Sequence, residues 1–169
     1  MHLIKQDFHS IKQTTYPIYT PFSGLVTSQN KSDNPLVCNK VLGLGVCIEI
    51  TNYQLFAPFT GRLVAVNTGG LEYFFKSKAG ITLYIIVHLE HALPLSGYKQ
   101  HVKAGSPITK GDLIASFDFR KYAEPVVASV LIRDTAKLSK VLDKCFYQAQ
   151  RINAPSDILF NLTKRQINE

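Results

Sequence analysis

The chain has 169 residues, a length that can close one hydrophobic core without splitting into domains. An apolar fraction of 46% against a charged fraction of 18% excludes a disordered chain. The formal charge of +7 invites anionic partners, yet Lys and Arg are scattered, with no run longer than Lys164-Arg165; a nucleic-acid interface is therefore not expected.

In chain order, residues 1–16 are polar and mixed, and they read as an N-terminal arm ahead of a single β domain over 17–169. The arm has no apolar stretch of the kind a signal peptide needs. The most apolar run, Ile81 to Leu89, is broken by Thr82 and His88 and is too short to cross a bilayer. The expectation is a cytoplasmic protein with no integral membrane segment.

From Ile18 onward short apolar segments alternate with turns. They are Leu25-Val26, Val46 to Ile50, Gln54 to Ala57, Arg62 to Val66, Tyr73 to Phe75, Ile81 to His88, Asp112 to Phe117 and Pro125 to Arg133. Brief, closely spaced strands rich in Val, Ile, Phe and Tyr predict an all-β sandwich or barrel. Glycines at 24, 61, 69, 70, 80, 97, 105 and 111 mark the turns between them.

One stretch reads as helix. Thr135 to Gln150 lacks Gly and Pro, Asp134 precedes it as an N-cap, and Leu138, Val141, Leu142 and Cys145-Phe146 fall at helical spacing.

The sequence also repeats itself. Pro21-Phe22-Ser23-Gly24-Leu25-Val26 returns as Pro58-Phe59-Thr60-Gly61-Arg62-Leu63-Val64, which suggests a duplicated β motif. Cys38, Cys47 and Cys145 are odd in number, lack metal or redox spacing and lie in apolar surroundings, so they read as reduced, mostly buried thiols.

Several chemistries find no support. There is no Gly-x-Ser-x-Gly for acyl transfer, and Gly43-Leu44-Gly45 is too short for a nucleotide loop. A zinc hydrolase of the lysostaphin type shares a duplicated β architecture but needs a His and Asp pair plus His-x-His. Here the spacing is His88-Leu89-Glu90-His91, and His2 and His9 have no such partner. Neither a cofactor nor a metal is expected.

An ordered series of short pieces resembles one family, the glucose-type enzyme IIA domains of bacterial sugar phosphotransferase systems. The pieces are Pro21-Phe22-Ser23-Gly24, Asn34-Pro35-Leu36-Val37 with Lys40 and Gly43-Leu44-Gly45, and Ala57-Pro58-Phe59-Thr60-Gly61. They continue with Gly80 and the strand ending Val87-His88, then Lys110-Gly111-Asp112 and Pro125-Val126-Val127. The likeness runs from about Tyr19 to about Lys164.

The resemblance implies an antiparallel β-sandwich or barrel with a duplicated hybrid motif, with the one short helix near the C-terminus. It also implies a relay that takes a phosphoryl group from the histidine phosphocarrier HPr and passes it to a sugar-specific IIB domain, with regulatory protein targets as further partners. The phosphoryl-accepting histidine falls on His88. A neutral imidazole is nucleophilic near pH 7, because its ordinary pKa is about 6.5.

The same resemblance marks departures around His88. The family's second histidine falls on Leu71, which donates no hydrogen bond, and the orienting hydroxyl two residues earlier falls on Gly69. The small glycine and aspartate after the acceptor correspond to Glu90 and Ala92, and Glu90 brings negative charge toward a phosphate. His91 is a candidate replacement for the missing imidazole, although in a regular strand it faces the other side. The basic charge differs from the family's acidic habit. An alternative therefore stands beside the relay: a binding or regulatory module that keeps the scaffold and no longer carries phosphate.

Overall fold

The computed structural model describes residues 1–11, 15–89, 95 and 97–164, the side chain of residue 68 excepted. Among the described residues there are fifteen strands, two one-turn α-helices and three short 3-10 turns. The first half holds β1 (His2–Lys5), β2 (Thr15–Tyr19), β3 (Ser23–Ser28), α1 (Pro35–Cys38), β4 (Leu44–Asn52), β5 (Gln54–Phe56), β6 (Gly61–Asn67) and β7 (Glu72–Ser77). The second half holds β8 (Thr82–His88), β9 (Lys99–Gln100), β10 (Pro107–Ile108), β11 (Leu113–Ser116), β12 (Val127–Ile132), α2 (Thr135–Leu138), β13 (Leu142–Tyr147), β14 (Arg151–Ile152) and β15 (Ile158–Lys164).

The strands form three sheets. The largest runs β10-β6-β7-β8-β12-β4-β3-β14, a second runs β1-β13-β15-β2, and a third runs β5-β11-β9. The fold is all-β and antiparallel, apart from the parallel pairing of β1 with β13. Each of the eight apolar segments picked out in the sequence falls on a strand.

β8 explains why its alternation is incomplete. Leu83, Ile85 and Val87 enter the main core, while Tyr84 and Ile86 face the other way into a second apolar cluster with Val37, Cys47 and Leu131. A strand covered on both faces has no solvent side to make polar. The cover on the outer face comes from α1 and its flanks. Asn34 caps α1 through its side chain, which accepts from the Leu36 N–H at 2.9 Å, and Pro35 stands in the first turn where no N–H is needed.

Gln29, 1% exposed, fixes this segment to the sheet. Its amide donates to the carbonyls of Val37 and Gly43, both at 2.8 Å, and its oxygen accepts from the Gly45 N–H at 2.9 Å. All polar atoms of a buried glutamine side chain are thereby used.

Two expectations are corrected. The helix over 135–150 is a single turn, Thr135–Leu138, and the chain then enters β13. Cys145, Phe146 and Tyr147 are buried because β13 is flanked by β15 on one side and β1 on the other. A spacing that fits a helix was overridden by sheet neighbours that local sequence does not display. Asp134 sits before α2 with φ +54° and makes no side-chain cap bond. The N-terminal residues are not a loose arm: His2–Lys5 pairs with Lys144–Tyr147, and β2 begins at Thr15.

The repeat has a structural counterpart. Phe22 and Phe59 are both buried, and Gly24 and Gly61 each lie against a neighbouring strand. A Cβ at Gly24 would stand 2.0 Å from the Glu49 carbonyl oxygen, and one at Gly61 would stand 2.2 Å from that of Lys76. We expect Gly24→Ala and Gly61→Ala each to lower stability by about 1–3 kcal/mol, through forced displacement of the adjacent strand. Urea denaturation checks this, and an unchanged midpoint in both variants would contradict the packing described.

Candidate functional site

His88 is the last residue of β8, opposite Val127 of β12. Alternation along β8 sends Val87 into the core and His88 to the outer face, on the side of Ile86. The ring is half-buried and leans diagonally across to β12, where Nε2 lies 2.7 Å from the Ser129 Oγ. Ser129 is wholly buried, and its hydroxyl also lies 3.5 Å from the Cys47 Sγ.

Ser129 and Cys47 belong to one row across the large sheet, and His88 lies two residues beyond it along β8. Thr27 of β3 pairs with Cys47 of β4, Cys47 with Ser129 of β12, Ser129 with Ile86 of β8, and Ile86 with Glu72 of β7. Thr27, Cys47, Ile86 and Glu72 of this row line an open depression of about 1170 Å³, together with Lys31 to Leu36 and Tyr122 to Val126. His88 and Leu71 both border it.

Leu71 lies beside the end of β8, since its carbonyl accepts from the Val87 N–H at 2.8 Å. At 7% exposure its side chain belongs to the main core while touching the edge of the depression. Gly69 and Gly70, just before it, have φ of +62° and +97°. A side chain at either position is strained, and a Cβ on Gly70 would also meet the Tyr98 ring at 2.3 Å. The tight turn into β7 thus accounts for glycine where a hydroxyl was sought. Glu90, His91 and Ala92 lie outside the described residues.

Sequence reasoning missed Ser129 and Gln29. The signal for Ser129 was a lone polar residue inside Val127 to Ile132; its nearness to His88 follows only from strand register.

A match of residues 16–138 to the model of one sequence family decides the relationship, the phosphoenolpyruvate-dependent sugar phosphotransferase system, EIIA 1. The chain belongs to that family. A solved structure titled glucose permease IIA from Mycoplasma capricolum has the same fold, with a TM-score of 0.75 at 15% identity, over 89% of this chain and 97% of that one. Within the EIIA 1 family frame, the chain is a sugar phosphotransferase component built on a β-sandwich. Among the described residues no helix is long and apolar enough to cross a membrane.

Charge at the depression runs against that of the chain. Its described lining carries Lys31 against Asp33, Glu72 and Glu124, so the basic excess lies elsewhere.

Burial pushes the His88 pKa below its usual 6.5, and the Asp33 carboxylate opposes that shift. The imidazole is therefore neutral at pH 7, the state in which a lone pair is available. As pH falls, the unfolded chain takes up this proton before the folded one does. The His88 contribution to stability is thus full above about pH 6.5 and is lost as pH falls through the folded midpoint. We expect an NMR titration to place the His88 midpoint below 6.5 and Asp33→Asn to lower it further. Acidification from pH 7 should cost wild type more stability than His88→Gln; equal losses would contradict the burial argument.

Proposed function

We propose that the protein is a phosphoryl relay, in which His88 accepts a phosphoryl group from HPr and passes it to a sugar-specific IIB domain in the cytoplasm. The observation that carries this reading is the half-buried ring of His88, neutral at pH 7, at the floor of an open depression on the outer face of the large sheet. An open depression admits another protein's phosphorylated imidazole, and a ring fixed by a hydrogen bond loses little freedom when transfer begins. Lys31 is the cation of the described lining that can approach phosphoryl oxygens.

A second reading, a binding or regulatory module that no longer carries phosphate, draws support from Leu71. A phosphoryl group on His88 finds there an apolar side chain in place of a donor, a charge-assisted bond worth about 1.5–3 kcal/mol. Such a loss slows transfer by about one to two orders of magnitude without forbidding it.

Incubation with enzyme I, HPr and phosphoenolpyruvate followed by intact-mass measurement separates the two. The relay requires a gain of one phosphoryl group in wild type and none in His88→Ala. The module reading requires no gain in either protein.

A further inference from the structure

We propose that the end of the large sheet remote from His88 is a basic face that docks reversibly on an anionic lipid surface. One row of paired residues crosses that end. Arg62 of β6 stands opposite Lys76 of β7, Lys76 opposite Thr82 of β8, and the Arg133 N–H, just past β12, donates to the Thr82 carbonyl at 2.9 Å. Tyr73 and Phe75 enter the main core while Phe74 lies in the outer cluster, so Lys76 and its partner Arg62 project on the outer face. Arg133 joins them there, its guanidinium 5.6 Å from the centre of the outward Tyr84 ring. Two exposed lysines border the row in turns. Lys78 follows β7, and Lys103 opens the turn whose Gly105 carbonyl accepts from the Arg62 guanidinium.

These five cations are not answered by carboxylates. Among the described residues the ion pair is that of Arg120 with Asp118, and Asp134, which follows Arg133, is exposed and pairs with no cation. Arg62 and Lys76 also face each other directly across two strands, with side chains rooted about 5 Å apart, an arrangement that repels. A negative plane laid over the row turns that repulsion into a shared attraction.

The form of the face favours a lipid surface over other polyanions. The cations stand on a sheet face and two turns, outside the depression at His88. Lys76, Lys78 and Lys103 make no side-chain hydrogen bond among the described residues, and long, unheld ammonium groups suit a diffuse charged plane. Val64, two residues beyond Arg62 in β6, is 45% exposed and adds an apolar contact. Single-stranded nucleic acid needs open aromatic faces, whereas Tyr84 is buried with its ring stacked on Phe74 at 4.3 Å.

Docking through this end leaves the other end free. β8 runs from Thr82 to His88, a rise of about 20 Å, which keeps the depression clear of the headgroups. Phosphorylation of His88 plays no part in the docking, so the proposal and the relay reading stand or fall separately.

Co-sedimentation of the full chain with phosphatidylcholine vesicles, prepared with and without phosphatidylglycerol, tests this. We expect binding to the vesicles that contain phosphatidylglycerol, little binding to the others, and its loss between about 0.05 and 0.5 M salt through screening. Lys76→Gln and Lys78→Gln should each weaken binding by about fivefold, the share of one cation close to such a surface. Lys5→Gln and Arg151→Gln remove the same charge from β1 and β14 and should leave binding within about twofold of wild type. Because Lys76→Gln relieves a like-charge contact, its urea midpoint should not fall below that of wild type, which separates lost binding from lost folding.

No preference for the phosphatidylglycerol vesicles, equal weakening by Lys5→Gln and Arg151→Gln, or a lowered midpoint in Lys76→Gln would overturn the proposal. So would capture of poly-glutamate or RNA through Lys76 and Lys78 by a wild type that ignores vesicles, since the face would then belong to an acidic protein or a nucleic acid.

Discussion

The site depends on β8 and its neighbours being covered by apolar layers on both faces. Leu83, Ile85 and Val87 anchor β8 in the main core, and Tyr84 and Ile86 anchor it under α1 and its flanks. A strand held from two sides cannot roll, so the side chain at its end inherits a fixed direction. His88 emerges where the outer cover stops, between the segment from Lys31 to Leu36 and that from Tyr122 to Val126. The buried amide of Gln29 matters for the same reason, because it ties the outer segment to the sheet at three backbone atoms.

Gly69 and Leu71, two of the positions at which the sequence was expected to depart from the resemblance, lie in one turn ahead of β7. Gly69 and Gly70 make a left-handed turn that side chains resist, and Leu71 follows as part of the core. On the other flank of His88, a serine buried in β12 engages the ring. The polar partner of the imidazole thus comes from β12, while Leu71, just ahead of β7, borders the same depression with an apolar side chain. The acidic residues around the depression add a second contrast, since the chain as a whole carries a formal +7.

Much of the scaffold was legible in the sequence because strands with buried β-branched and aromatic residues announce themselves locally. The paired Pro-Phe and Gly positions of the repeat were legible too, since each glycine is forced by a carbonyl of an adjacent strand. What escaped notice depends on register. The residues from Leu142 to Tyr147 suit a helix as well as a strand until β1 and β15 are known to flank them. His88 stood out through its place in a motif series, but Ser129 lies 41 residues further along the chain and meets it only because Val127 pairs with His88.

The parallel ladder between His2–Lys5 and Lys144–Tyr147 bears on how the chain matures. Residues made early on the ribosome have no strand to dock on until β13 has left the exit tunnel, so the order of synthesis and the order of consolidation are reversed for this segment. Contacts of such long sequence separation close late because the loop entropy must be met first. Until then the edge of β13 stays open, and the nascent protein carries a transient invitation to pair with the wrong strand.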